Sequence, residues 1–85
     1  MVYKVSYKAS VEKDLRRIDK QIVARLLRKL EAELSKDPSK GERLKGEFEG
    51  LFKYRIGDYR IIHTRTADGV LVLRISHRKD VYREK

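Results

Sequence analysis

Phe52-Lys53-Tyr54-Arg55-Ile56-Gly57-Asp58-Tyr59-Arg60-Ile61-Ile62-His63 is the stretch that decides the fold. Apolar and basic side chains alternate on both sides of Gly57-Asp58, which reads as a two-residue hairpin loop between strands near 51–56 and 59–66. The loop places Ile56 opposite Tyr59 and Arg55 opposite Arg60. Strand parity then sends Phe52, Tyr54 and Ile56 to one face, and Leu51, Lys53 and Arg55 to the other. Like charges set directly across two strands destabilise a sheet, so the Arg55–Arg60 pair invites an anion, and phosphate is the natural one.

Working outward, a third strand is expected near 70–77. A two-residue Asp68-Gly69 loop would pair Ile61 with Ser76 and mix the two faces. A three-residue Ala67-Asp68-Gly69 loop, with Gly69 left-handed, pairs Ile61 with Ile75 and His63 with Leu73 and keeps one apolar side. That register puts Arg74, Ser76 and Arg78 on the basic face with Lys53, Arg55 and Arg60. Upstream, Val2 to Tyr7 alternates as a first strand, and Ser10 is placed to cap a helix. Leu15, Ile18, Ile22, Leu26, Leu30 and Leu34 then recur at helical spacing, and Asp19 splits the run into helices near 10–18 and 20–36. Pro38 ends the second helix at about Asp37, and Ser39 to Gly50 forms a connector. The expected fold is α+β, in the order β-α-α-β-β-β, with a two-helix hairpin on one face of a mainly antiparallel four-stranded sheet.

The 85 residues are expected to form a single domain, 1–85. A chain of this size buries about 60 to 65 per cent of its unfolded surface, enough for one core. With no cysteine, disulfides and thiolate metal sites are excluded, and the cytoplasm is the expected compartment. No segment approaches the ~20 apolar residues of a membrane span, and no signal peptide is evident at the N-terminus. Lys and Arg number 22 against 13 acids, a net charge of +9, which predicts an anionic partner such as nucleic acid.

Tyr82 lies four residues beyond Arg78, so one helical turn or compact bend sets its hydroxyl beside that guanidinium. A phenol among cations is a candidate general base, and the same spacing also suits an aromatic anchor or a base-stacking ring. The histidines do not make an acid–base pair. His63 opposite Leu73 and His77 opposite Tyr59 are about 13 Å apart on the helix-covered side. His63 reads as a core histidine with a hydrogen-bond partner, whereas His77, at the strand end, can turn toward the site. The acids lack metal-ligand spacing, and neither a glycine-rich phosphate loop nor a nucleophile elbow is present, so metal-free, cofactor-free chemistry is expected.

Together with Arg43-Leu44-Lys45-Gly46 and the closing Ile75-Ser76-His77-Arg78-Lys79-Asp80-Val81-Tyr82, the hairpin resembles the RelE toxins of the RelE/ParE superfamily over essentially the whole chain. The resemblance implies a metal-free endoribonuclease, an mRNA interferase that enters the ribosomal A site, contacts 16S ribosomal RNA, and cuts the message with the RNA's own 2′-hydroxyl as nucleophile. It also implies a RelB-like antitoxin as cognate partner. Carried over, Arg60 stabilises the scissile phosphate, Arg78 assists the leaving 5′-oxygen, Tyr82 abstracts the 2′-hydroxyl proton and Lys53 stabilises charge or helps activate the nucleophile. Arg55, Arg74, Ser76 and His77 are the expected RNA contacts. One departure is Arg55, where the family often has a second lysine: a guanidinium holds phosphate but does not act as a base. The competing expectations are a ParE-like gyrase inhibitor without nuclease activity and a non-catalytic RNA-binding module.

Overall fold

The hairpin forms as its alternation requires. In the computed structural model, which describes residues 2–77, β3 (Leu51–Ile56) and β4 (Tyr59–Arg65) are antiparallel, with Arg55 opposite Arg60 and Tyr54 opposite Ile61. Gly57 takes φ +59 while no non-glycine residue among those described has positive φ, the signature of a type II′ turn, whose twist matches that of the strands. β5 (Gly69–His77) pairs antiparallel with β4, and β1 (Lys4–Tyr7) pairs parallel with β5. The helices α1 (Ala9–Leu15) and α2 (Lys20–Leu34) pack against the sheet. The class is α+β, as expected. The sheet has five strands rather than four, in the order β1-β5-β4-β3-β2, because Glu42–Arg43 of the connector adds a short edge strand, β2, to β3.

The core lies between the helices and one sheet face. Leu26, Leu30 and Leu34 from α2 and Val11 from α1 meet Ile61, Val70, Val72 and Ile75, with Tyr54, Ile56 and Tyr59 packed around them. Asp19 occupies the N-cap position of α2 without a side-chain capping bond.

Three local expectations are corrected. Gly69 is not in a left-handed loop position. It belongs to β5, opposite Lys4, and a Cβ there would stand 2.0 Å from the Lys4 carbonyl oxygen, so glycine is required by the close approach of β1. The Thr66 N–H donates to the Gly69 carbonyl (2.9 Å), which tightens the connection to Ala67-Asp68. The residue gained there is absorbed by a bulge: Ile62 faces Arg74 and His63 faces Val72, leaving Leu73 unpaired, so His63 does not oppose Leu73. Beyond the bulge the expected register holds, with Ile61 opposite Ile75 and Tyr59 opposite His77.

Ser10 is not a helix cap either. Helix α1 starts at Ala9, and Ser10 Oγ donates to the Leu73 carbonyl (2.9 Å). This follows from the end of β1: strand pairing stops at Tyr7–Val72, the Lys8 N–H takes the Val72 carbonyl (2.9 Å), and the outer edge of β5 then needs other partners. Ser10 satisfies the bulge carbonyl, and Asp14 accepts the Ile75 N–H (2.9 Å).

We expect Gly69→Ala to cost about 3 kcal/mol, because backbone atoms cannot yield to the new methyl group. Gly57→Ala, with open space around its Cβ, is expected to cost only about 1–2 kcal/mol for its positive φ. Urea unfolding midpoints separate the two, and equal losses would refute the close-approach argument.

Candidate RNA-binding site

The sheet face away from the helices carries two rows of side chains, defined by register. One row runs Arg55 on β3, Arg60 on β4 and Ser76 on β5; the next runs Glu42, Lys53, Ile62 and Arg74 across β2 to β5. Neighbouring positions in a row lie about 5 Å apart. The structure therefore brings Lys53, Arg55, Arg60, Arg74 and Ser76 onto one face. Arg78 and Tyr82 lie outside the described residues. His77 is on the opposite parity, its ring edge-on to Tyr59 with centroids 5.0 Å apart.

The cations in these rows are not equivalent. Among the described residues, no ion pair reaches Arg55 or Arg60. Among the described residues no carboxylate pairs with either to offset their repulsion across the strands, which is the electrostatic condition for anion binding. Lys53 Nζ lies 3.5 Å from Glu42 Oε1, but the Glu42 side chain is 72% exposed, so the pair is worth well under about 1 kcal/mol and a phosphate can displace it. Arg74 is held more firmly. Its Nε and Nη2 donate to Asp14 Oδ2 and Oδ1 at 3.0 and 3.2 Å, and the same carboxylate, only 12% exposed, also accepts the Ile75 N–H. Arg74 thus fastens α1 to β5. Neither Glu42 nor Asp14 was singled out from the sequence: Glu42 sits in a connector with no strand signal, and Asp14 looks like one more charge on an amphipathic helix.

Beneath the site, His63 is fully buried, as its reading as a core histidine requires. Its Nε2 is 3.0 Å from the Lys40 carbonyl, so the neutral ring with Nε2–H donating fits, and its ring stacks on Phe52 with centroids 5.4 Å apart. Burial pushes its pKa below the usual histidine value, since a charged ring would leave Nδ1–H without an acceptor. His63 is thus a post for the connector rather than a proton donor. Lys40, whose carbonyl it holds, pairs with Glu33 at 3.1 Å and lies over the Tyr54 ring. The Tyr54 hydroxyl is pushed up chiefly by burial, which disfavours it as a base. Among the described residues, no group of three His, Asp or Glu side chains is arranged to hold a metal ion.

A sequence profile for the ParE toxin of the type II toxin–antitoxin system parDE matches residues 5–82. The chain belongs to the RelE/ParE toxin superfamily. The toxin is 31% identical to Toxin RelG of Mycobacterium tuberculosis over 86 aligned positions, covering 98% of this chain and 99% of the relative. Its fold matches a chain of the RelBE2 toxin–antitoxin complex from M. tuberculosis, with TM-score 0.82, 28% identity and coverage of 91% and 92%. A chain of the RelB–RelE complex from Methanococcus jannaschii shares the fold, with TM-score 0.64, 24% identity and coverage of 92% and 95%. This is a type II toxin–antitoxin toxin. No helix among its described residues is long and apolar enough to cross a membrane.

The depressed His63 pKa makes stability pH-dependent. The unfolded chain takes up a proton near the ordinary value of 6.5, while the folded ring resists it. This contribution is therefore complete above pH 6.5 and is lost as pH falls toward the lower folded value. Urea titrations from neutral to mildly acidic pH are expected to show a shallower acid-side decline for His63→Gln than for the natural chain. Parallel declines would remove His63 from this role.

Proposed function

We propose that this toxin is a ribosome-dependent mRNA endoribonuclease. The observation carrying the reading is Arg55 directly opposite Arg60 on the uncovered sheet face, with no carboxylate of the described chain on either and Lys53 in the adjacent row. Three converging cations suit a phosphodiester, and planar guanidinium forks suit its two non-bridging oxygens. Kinship with Toxin RelG and with a chain of the RelBE2 toxin–antitoxin complex supports a toxin of the RelE type.

In the proposed reaction the 2′-oxygen of the message attacks its own 3′-phosphorus while the bond to the 5′-oxygen breaks. A 2′,3′-cyclic phosphate and a 5′-hydroxyl result. Arg60 neutralises the charge that accumulates on the non-bridging oxygens, and Arg78 stabilises the departing 5′-oxygen. Tyr82, or Lys53 with a depressed pKa, takes the 2′-hydroxyl proton, and the 5′-oxygen acquires one from solvent. Arg55, Ser76 and the rim residue Arg74 hold the flanking backbone, whereas His77, whose ring lies edge-on to Tyr59 on the opposite parity, is not assigned that role. No metal or cofactor enters this chemistry. The proposed setting is one toxin domain, residues 1–85, acting in the cytoplasm on messages in the ribosomal A site, with contacts to 16S ribosomal RNA, and silenced by a RelB-like antitoxin. Complexes of toxin with antitoxin among its structural relatives support that partner.

Purified toxin is expected to cut messages on programmed ribosomes and leave cyclic-phosphate ends. Arg60→Ala is expected to slow single-turnover cleavage by ~10²- to 10³-fold, the usual effect of losing one oxyanion contact. Tyr82→Phe is expected to cut slowly with binding preserved if Tyr82 is the base. Full activity in both variants would reject the residue roles. Inhibition of gyrase supercoiling with intact messages would replace the reading by the gyrase-directed one, and salt-sensitive RNA binding without product would replace it by simple RNA binding.

A further inference from the structure

The uncovered sheet face changes character away from the Gly57-Asp58 turn. Beyond the rows that carry Arg55, Arg60 and Lys53, the next row runs Leu51 on β3, Thr64 on β4, Leu71 on β5 and Ser6 on β1. Leu44 extends it past β3, because its N–H donates to the Leu51 carbonyl (3.0 Å). With Ile62, which lies between this row and the arginines, Leu44, Leu51 and Leu71 form an apolar band. All four are half-buried, and among the described residues none belongs to the core or packs against it. The helix-covered core therefore does not account for them, and apolar surface continuous with a charged patch marks a ligand groove.

Thr64 stands in the middle of this band with the polarity of its hydroxyl fixed. Its Oγ1 donates to the Gly50 carbonyl at 2.8 Å. A hydroxyl has one hydrogen to give, so toward a ligand on this face Thr64 Oγ1 offers only lone pairs. It accepts from an N–H and disfavours a carbonyl oxygen at the same place.

We infer that this band is a nucleobase subsite and that Thr64 is a specificity-determining residue, selecting a base that carries an amino group where uracil carries a carbonyl. Cytosine is the matching pyrimidine, and adenine is the matching purine. The inference rests on reading the cationic rows as the message site. Thr64 lies four residues from Arg60 along β4, about 13 Å, with the Lys53–Ile62 row halfway between. A strand whose phosphate is held at Arg55 and Arg60 therefore crosses Lys53 before one of its bases reaches Thr64. Continuity with the cations selects the occupant. Guanidinium forks match phosphates, and aliphatic side chains match the flat apolar faces of bases. A single-stranded nucleic acid offers both in alternation, so one polymer satisfies both halves of the face.

The test uses the full chain and short oligonucleotides of deoxycytidine or of deoxyuridine, which lack the 2′-hydroxyl and so are not cut by its attack. Fluorescence anisotropy at one fixed salt concentration reads their affinities. The natural chain is expected to bind the deoxycytidine strand about 5-fold more tightly, the effect of one neutral hydrogen bond. Thr64→Val, isosteric but without the acceptor, should bring the two within about 2-fold, and Thr64→Ser should keep the preference. A strand of N4,N4-dimethyldeoxycytidine, whose amino hydrogens are gone, should bind the natural chain no better than deoxyuridine does, a comparison that needs no variant. Leu51→Thr should weaken both strands alike. Equal affinities in the natural chain, a preference that survives Thr64→Val, or no binding of either strand would overturn the inference. Loss of antitoxin capture in Leu51→Thr with oligonucleotide binding unaltered would overturn it too, and assign the band to a protein. A preference abolished by Thr64→Val in a toxin that cuts no message upholds the subsite and rejects the nuclease reading. Cleavage on ribosomes without any such preference rejects the subsite and leaves that reading standing.

Discussion

The Gly57-Asp58 turn imposes the constraint from which the cationic face follows. A two-residue connection admits one register, and that register sets two guanidinium groups across adjacent strands, with no carboxylate of the described residues paired to either. Nothing in the packing of the core asks for this. The helix-covered side of the same hairpin is satisfied by Tyr54, Ile56, Tyr59 and Ile61, so the open side is left to serve another purpose. Electrostatic strain that folding tolerates but does not need is a common mark of a binding site.

The surrounding structure sorts the other cations by how tightly they are held. Lys53 has a weak, exposed partner in Glu42, which keeps its ammonium near the arginine row without fixing it there. Arg74 is committed to Asp14, and through that carboxylate α1 is tied to the end of β5 at the point where β1 stops pairing. The same contact orients the strand segment that carries Ser76 and leads on to Arg78. Below the face, His63 holds the connector by the Lys40 carbonyl, and the connector in turn presents Glu42 to Lys53. The chain as a whole carries a net charge of +9 that the fold itself does not require.

Local chemistry made most of the architecture legible. The two-residue turn, the period-two alternation of 52–63 and the leucine stripe of 15–34 each specify an element through short-range rules, and all agree with one layered arrangement. The same rules misread three places. The run Val70-Leu71-Val72-Leu73-Arg74-Ile75 is apolar at nearly every position, so parity alone does not reveal that it changes at Leu73, where the bulge reconciles buried Val72 with buried Ile75. Gly69 looks like a turn residue because turns favour glycine, whereas its actual reason is the Lys4 backbone pressed against it from a strand 65 positions earlier. The strand at Glu42–Arg43 is too short and polar to signal itself.

By itself the sequence determined which side chains share a face, because strand and helix periods are local properties of the chain. It thereby placed Lys53, Arg55 and Arg60 together and His63 in the core. Only the tertiary structure decided which of the cations remain available to a ligand. Asp14 reaches Arg74, and Glu42 reaches Lys53, through contacts between segments far apart in the chain or joined by an irregular connector. Ion pairing depends on distance in space, and no periodicity in the sequence encodes that.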